Sequence, residues 1–502
     1  MTDKILYEKI FKNKSDVNLW FAYPGTKGFA YSSLGYMYLY KYFDQMPSVN
    51  FEPIFADTKK TKIMAKDIDL CGFSFSFDLD FINILNILNQ HNIPLKSSQR
   101  KENDPLIFGG GPVLTANPEP YHEIFDFVII GDGEDVFEQI ITLYRENKSM
   151  PREKLLEQIS ELDGVYVPTN PKKIKKLTCK NLKIITTPIL SEESFFPNTF
   201  VIEIERGCSN RCGFCVASYI NLPIRFLEYE EIIKNIDLGL QYTNKIALLG
   251  AMIAAHPKFD KICEYIYNKV QQGENIELSF SSLRADNIIP IAIKTLAACG
   301  QKHSTIAIEA ASERLRKVIN KNLTEEQIFN CVKICQENGL KGLKIYAMIG
   351  LPTETQEDID EFIALGTKLK NAFKGFHFSF AFSTFVPKPH TPFQWCKRED
   401  LKSLKTKQNY LKKEFHKIGL SADFSSAKWD YFQSVLSNGG REISDIIFEI
   451  YENGGTASAY QNSIKKLKPC ESSLETPLPW DFISMTPPKE FLKSEYKNLL
   501  KL

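Results

Sequence analysis

Cys208, Cys212 and Cys215 stand in the run Glu-Arg-Gly-Cys-Ser-Asn-Arg-Cys-Gly-Phe-Cys, a C-x3-C-x2-C spacing with Phe214 directly before the last cysteine. Three thiolates this close can hold three corners of a cube-shaped iron–sulfur cluster, since such clusters are normally ligated by cysteine sulfur. No fourth cysteine follows nearby, so one iron would stay open to another ligand. A structural zinc site takes four Cys or His ligands, and the nearest spare candidates, Cys179 and His256, lie far off in sequence. Buried inert thiols favour apolar surroundings, whereas Gly207, Asn210, Arg211 and Gly213 make this loop polar.

Strand-like runs alternating with helical patterns must position that loop. Before it, Val17–Tyr23, 51–56, 68–75, 106–108 and 127–130 are strand-like, with helical spacing near 34–43, 80–90 and up to Arg145. That alternation predicts a Rossmann-like parallel sheet. Glycine turns at Gly109–Gly111 and Gly131–Gly133 fall at carboxyl ends of its strands, where ligands bind in such sheets. Prolines and lysines mark residues 161–196 as a linker with little core of its own, its Lys172–Lys176 run a solvated face. From Phe200 the rhythm resumes, with strands expected at 200–205, 245–249, 276–280, 305–308, 343–349 and 376–382. The first delivers the cysteines at its carboxyl end, the active-site end of barrel enzymes. Period alone does not separate a barrel from an open sheet.

Length and composition set outer bounds. A chain of 502 residues accommodates two or three domains. Its 43% hydrophobic and 25% charged residues are ordinary for a globular protein, and a net charge of +1 points to neither nucleic acid nor membrane. Eleven scattered cysteines argue against a secreted disulfide scaffold and for a reducing cytoplasm. No apolar stretch reaches the ~18–20 residues of a membrane span, and the N-terminus lacks the apolar region of a signal peptide.

The cysteine run closely resembles the signature of the radical S-adenosylmethionine (radical SAM) enzymes. The resemblance implies a [4Fe–4S] cluster on Cys208, Cys212 and Cys215, whose open iron chelates the methionine moiety of S-adenosylmethionine (SAM). Reductive cleavage then yields a 5′-deoxyadenosyl radical, chemistry carried by the cofactor while the protein positions it. A partial (β/α)6 barrel follows from the same resemblance. Leu248-Leu249-Gly250-Ala251 stands where many members have Gly-Gly-Glu; the glutamate is absent, so only the backbone role at Gly250 carries over. Ser281 and Arg284 lie in the stretch Ser279–Asp286, which in the family can line the nucleoside and carboxylate, although Arg284 could equally cap a helix. Ile308-Glu309-Ala310-Ala311-Ser312-Glu313-Arg314-Leu315 resembles the family's Gly-Ile-Glu-x-x-Ser-Glu-x-Leu run, with Glu309 toward the cofactor. Lys321 matches a basic residue by chain position, and Met348–Thr355 matches Gly-Leu-Pro-x-Glu-Thr, with Ile349 against adenine. With Phe214, these residues form the expected cofactor set.

The first half resembles the cobalamin-binding-like domain upstream of many radical SAM cores, through Gly-Gly-Gly-Pro-Val-Leu-Thr-Ala-Asn-Pro-Glu-Pro at 109–120 and Asp-Phe-Val-Ile-Ile-Gly-Asp-Gly-Glu at 126–134. The turn Tyr23–Gly35 carries no histidine to replace the lower cobalt ligand. Cobalamin would then be held by backbone at Gly109–Gly111 and Gly131–Gly133, with its corrin face against the aromatic stretch Phe73–Phe81. Pro387-Lys388-Pro389-His390-Thr391-Pro392-Phe393-Gln394 resembles a segment of the same group. His390 is either a substrate or proton-transfer group or a surface-loop histidine.

These readings predict an α/β chain: a Rossmann-like domain at 1–160, the linker at 161–196, the radical SAM core at 197–395 and a mainly helical extension at 396–502. The implied activity is radical chemistry on an unidentified substrate, with cobalamin-dependent methylation if cobalamin binds and with flavodoxin or ferredoxin as electron donor. A methylthiotransferase needs three N-terminal cysteines, where only Cys71 and Cys179 precede the triad, and a C-terminal β-barrel. A maturase with auxiliary clusters fares no better, since Cys396 and Cys470 stand alone. A cluster-bearing ligand-binding scaffold without turnover is the non-enzymatic alternative.

Overall fold

The computed structural model describes residues 3–10, 15–281, 283–467 and 473–501; Cys470 lies outside them. In the first half, β1 (Val17–Tyr23), β2 (Val49–Phe55), β3 (Leu70–Ser74), β4 (Leu106–Gly110) and β5 (Phe127–Ile129) form a parallel sheet in the order β2-β1-β3-β4-β5. A short antiparallel edge, β6 (Val165–Tyr166), closes it. The crossovers carry α1 (Leu34–Asp44), α2 (Phe81–Gln90) and α3 (Phe137–Glu146). β1 is buried along almost its whole length, as a strand covered on both faces must be.

The second half carries the six expected parallel strands: β7 (Phe200–Glu203), β8 (Lys245–Leu249), β9 (Glu277–Phe280), β10 (His303–Glu309), β11 (Gly342–Ile349) and β12 (His377–Thr384). They run as β7-β8-β9 and β10-β11-β12, joined by a parallel bridge between Leu283 and Ile306. A seventh strand, β13 (Ser421–Phe424), pairs parallel with β12 beyond the expected end of the core. Helices α4 (Tyr229–Leu240), α5 (Phe259–Gln271), α6 (Pro290–Ala298), α7 (Glu325–Glu337), α8 (Gln356–Ala372) and α9 (Leu401–Lys417) cover the outside.

Each barrel strand alternates. Ile246, Leu248, Leu278, Ile306, Ile345 and Phe380 pack outward on the helices, whereas Ala247, Ser279, Ala307, Tyr346 and Ala381 face inward. A period of two places alternate residues on opposite faces. At the level of Tyr346 its two inward neighbours, Ala307 and Ala381, are small.

The C-terminal region is mainly helical, as expected, and it docks on the N-terminal domain. After β13, α10 (Ala427–Asn438), α11 (Ile443–Glu452) and α12 (Ala457–Ile464) lie against the N-terminal sheet. Phe432, Leu436, Ile447 and Tyr460 share one core with Trp20, Phe73, Phe81 and Ile84. The reason is coverage: α1 and α3 bury one face of the sheet, and α2 alone is too small for the other. The final helix, α13 (Lys489–Leu500), packs under the cysteine loop.

Residues 161–196 are likewise no free linker. Ile174–Lys175 pairs with Ile483–Ser484, Ile189–Leu190 pairs with Lys4–Ile5, and Lys176 is buried, not solvated.

His390 is neither a surface histidine nor a group open to substrate. It is buried, its ring nitrogen Nε2 lies 2.9 Å from the Ala116 carbonyl, and it faces Trp480. Burial pushes it down to about 4. Between pH 4 and 6.5 the unfolded chain therefore binds a proton that the folded one refuses, so stability falls as pH falls through that window. The drop corresponds to roughly 3 kcal/mol at most. Thermal melts at pH 7 and pH 4.5 should show a smaller acid-induced loss for His390→Gln than for the wild type; equal losses would remove His390 from the acid response.

Candidate cofactor site

The cysteine loop leaves the carboxyl end of β7 and is tied down by its neighbours' backbone. Gly213 N donates to Ile319 O at 3.0 Å, Phe393 N donates to Gly213 O at 3.0 Å, and the side chains of Asn320 and Tyr219 both donate to Arg211 O at 2.9 Å. Cys208 and Cys212 are buried, and burial pushes the Cys212 thiol up to about 11, although Lys321 and Arg284 pull it back. Burial raises Cys215 as well, against a hydrogen bond from Ser218. Metal binding discharges this cost by replacing the thiol protons. Among the described residues no three His, Cys, Asp or Glu side chains are close enough to hold one metal ion. Thiolates that each bind a different iron of a cube stand further apart than the ligands of a single ion, so the two facts agree.

Two of the expected cofactor residues pair with each other beside this loop, and a third joins them. Lys321 Nζ lies 3.3 Å from Glu309 Oε1, both nearly buried, and Arg284 donates to the Lys321 carbonyl. Arg284 also grips Asp286 at 2.7 Å and 3.0 Å and points Nη1 at Cys212 Sγ, 4.0 Å away. Its charge is thus already matched by Asp286, and it faces the Cys212 thiol. Glu309 ends β10 at a break in register with φ +64°, a left-handed conformation that a non-glycine residue holds only when its surroundings impose it. Gly250 and Ser281 sit at neighbouring strand ends, where Ser281 Oγ donates to Gly250 O at 2.8 Å.

Two expected residues are placed differently. Ile349 is fully buried with Ile345 and Ala347 on the helix-facing side of β11, because it shares their parity; Met348 takes the other face. Phe214 packs in a small cluster with Met348, Leu315 and Leu499.

The carboxyl ends of the two sheets face each other across a cavity of about 510 Å³. Ser33, Ser74 and Ser76 line it from the N-terminal domain, Leu249 and Arg206 from the barrel. Ions close the junction. Arg206 donates to Asp132 and Glu134, both at 2.9 Å, and to Glu203 at 2.9 Å and 2.8 Å, while Arg225 also bonds Asp132. Burial pulls the Asp132 carboxyl upward, but Arg206 and Arg225 hold it below its usual range. These partners escape motif reading, yet the alternation of Ile202 and Ile204 with Glu203 and Glu205 signals acids on the inner face. A larger shallow concavity, about 660 Å³, lies on the outside of α4, away from the cysteines.

The aromatic contacts expected for a corrin in the N-terminal domain need correction. Phe73, Phe75 and Phe81 are fully buried in the sheet's own core, and only Phe77 is exposed. Gly111 and Gly131 have φ near +100°, and an added Cβ would strike Phe75 O at 2.7 Å and Leu177 O at 2.2 Å; both, with Gly133, also line the cavity, where the glycine turns are expected to meet a ligand. The apolar contribution to the cavity comes from Leu34, Tyr38 and Leu249.

Comparison with known proteins gives two family matches: "Radical SAM proteins, N-terminal" over residues 48–168 and "Radical SAM superfamily" over residues 202–366. An uncharacterized protein of Methanocaldococcus jannaschii is 31% identical over 388 residues, 76% of this chain and 80% of that one. An uncharacterized methyltransferase of Pyrococcus horikoshii is 23% identical over 62% of this chain and 70% of its own. Among solved structures, the radical SAM methyltransferase TsrM from Kitasatospora setae, with cobalamin and a [4Fe–4S] cluster bound, superposes with a TM-score of 0.52 at 14% identity, covering 76% of this chain and 73% of its own. The cobalamin-dependent enzyme OxsB, with aqua-cobalamin and SAM bound, gives 0.50 at 17% identity over 70% of this chain and 51% of its own. These structural likenesses concern the fold.

Replacing Cys212 by alanine should abolish the reconstituted cluster, read by iron content and low-temperature magnetic resonance. A wild-type cluster in that variant would exclude Cys212 as a ligand.

Proposed function

The chain belongs to the radical SAM superfamily, with the N-terminal domain of such proteins ahead of the barrel, and from that premise we propose a cobalamin-dependent methylation of an unidentified substrate. As a radical SAM enzyme it uses a [4Fe–4S] cluster and SAM, and needs a low-potential reductant, for which flavodoxin or ferredoxin in the cytoplasm is the fitting class. Among the described residues no helix is long and apolar enough to cross a membrane.

The observation that carries the reading is the cavity between the two sets of strand ends. It lies beside the cysteine loop, and Arg206 at its wall is two residues from Cys208. A corrin held there would supply the methyl group for transfer. The donor set suits it: hydroxyls of Ser33, Ser74, Ser76 and Thr115 match amide side chains, and Leu34 and Leu249 match an apolar ring. The methyltransferase relative from Pyrococcus horikoshii and the cobalamin held by TsrM favour the same reading.

The chain's own residues would divide the work. SAM cleaved at the cluster supplies a 5′-deoxyadenosyl radical. Cys208, Cys212 and Cys215 hold the cluster, and Glu309 with Lys321 forms an ionic shelf beside it for the polar end of SAM. The small inward residues Ala247, Ala307 and Ala381 leave room for substrate in the lumen. The N-terminal domain roofs the mouth and limits water there. Methylthiotransfer is disfavoured: Cys71 is sealed in the N-terminal core, and the C-terminal region contributes helices to that core and no β-barrel among the described residues.

Anaerobically reconstituted, reduced protein should convert SAM to 5′-deoxyadenosine, and failure of a fully iron-loaded sample would leave only a binding scaffold. Alanine at Glu309, Lys321 or Arg284 should weaken SAM binding by ~1–3 kcal/mol each; unchanged affinity in all three would remove them from the site. Cobalamin should co-elute on gel filtration with an absorption spectrum unaltered by His91→Ala or His122→Ala. His91 packs edge-on against Trp20, and His122 Nδ1 lies 3.0 Å from Glu119 O, so neither reaches the cavity. Loss of the bound form in either variant would contradict cobalt without a protein histidine; no bound corrin would contradict the cobalamin reading itself.

A further inference from the structure

Several charges on the barrel's inner face are matched within it: Glu203 by Arg206, Glu309 by Lys321, and Glu277 by Lys245 at 4.0 Å. Lys344 is not. It lies along β11 between Leu343 and Ile345, whose side chains belong to the helix-side core, so parity turns it into the lumen. Register brings Thr305, Ser379 and Ser421 to the same level on β10, β12 and β13. Their neighbours Ile306, Phe378, Phe380 and Ala422 pack on the helix side, so these three also face inward. An ammonium and three hydroxyls thus share one level of the lumen. Among the described residues, their side chains have no hydrogen-bond or ion-pair partner.

The surroundings select the sign of a ligand. One level toward the amino ends, His303 and His377 flank Gly342, where a Cβ would fall 2.8 Å from the His303 ring and 2.9 Å from His377 Cβ. Neither level carries an acid on these strands. Asp423 stands one level toward the carboxyl ends on the edge strand β13, two strands from β11. At ordinary strand spacing that is about 10 Å across the sheet. Lys344 Nζ lies 5.6 Å from the centre of the Tyr346 ring, two residues further along the same face. Its stem therefore runs toward the end of the barrel that holds the cysteine loop, and the ammonium is presented in the open lumen.

On the radical SAM reading above, which makes the lumen the substrate chamber, we propose that Lys344 with the hydroxyls of Thr305 and Ser379 is a subsite for an anionic group of the substrate, a carboxylate or a phosphate. Both anions accept hydrogen bonds; the ammonium donates three and each hydroxyl donates one. Charge-assisted bonds of this kind are stronger than neutral ones. Held at this depth, the anion leaves the rest of the substrate beside Tyr346 and toward Glu309 at the strand end.

The probe is pyridoxal 5′-phosphate, an anionic aldehyde that forms an imine with a lysine amine. Iron-loaded protein is labelled anaerobically, the imine is trapped with cyanoborohydride, and peptides are mapped by mass spectrometry. Lys344 should label faster than Lys234, whose side chain is 75% exposed on α4. Inorganic phosphate or acetate at about 10 mM should slow that labelling roughly tenfold, the effect of a Kd near ~1 mM. Protection by phosphate alone assigns a phosphate, by acetate alone a carboxylate, and by both the anion chemistry they share. Thr305→Val and Ser379→Ala should each weaken the protection several-fold, an effect that a merely exposed lysine would not show; thermal melting reports whether they fold. The subsite is overturned, with the radical SAM reading left standing, by any of four results: labelling of Lys344 no faster than Lys234, protection by neither anion, equal protection by chloride at the same ionic strength, or protection unchanged in both hydroxyl variants. Reduced, iron-loaded protein that forms no 5′-deoxyadenosine from SAM would instead overturn the reading on which the subsite rests.

Discussion

Asp132 holds the molecule's two sheets end to end. It comes from the N-terminal domain, and its two arginine partners come from the start of the barrel, one of them adjacent to Gly207 in the cysteine loop. Removing Asp132 would leave the buried Arg225 guanidinium without a carboxylate, and breaking a buried pair in this way is strongly destabilising. Such a pair is therefore weak as a source of net stability and strong as a determinant of geometry. It obliges the carboxyl ends of both sheets to meet, and the cavity between them is the consequence.

Sharing of one core by the first and last parts of the chain makes that orientation rigid. The helices after β13 cover the face of the N-terminal sheet that α2 leaves bare. Polar contacts then fix their register: Asn117 donates to Ser437 O and Gly439 O, Arg441 pairs with Glu119 at 2.8 Å, and Lys388 reaches Asp78 at 3.1 Å. Trp480 donates to Gln394, whose oxygen also accepts from His390 N. Through Ala116 and His390 the segments 109–120 and 387–395 also dock on each other.

That explains which parts of the structure are legible in the sequence. Element types follow from periodicity: β1 spans Val17–Tyr23 as expected, and all six barrel strands appear within a few residues of their predicted places. The cysteine triad is legible because its spacing is local. Contacts between segments far apart in the chain are not. His390 reads as a loop residue until Ala116 and Trp480 enclose it. Ile349 fails for another reason. Motif matching assigns it to the cofactor, while the parity of β11, visible in Leu343, Ile345 and Ala347, assigns it to the helix side.

Parity also bears on how the barrel can host radical chemistry. A closed eight-stranded barrel fills its interior with layers of branched side chains. Here seven strands leave the barrel open, and the row Ala307, Tyr346, Ala381 sets one phenol between two methyl groups. Tyr346 remains 42% exposed in consequence, as does Leu249 at 40%. An unfilled lumen gives substrate room but also admits water, which a reactive site must limit. Many enzymes answer with a mobile loop. In this chain the N-terminal domain stands over the mouth, held by the Asp132 junction and by the shared C-terminal core. A roof built into the fold gives protection at all times, so substrate must enter by the open side of the barrel or through a change at the junction itself.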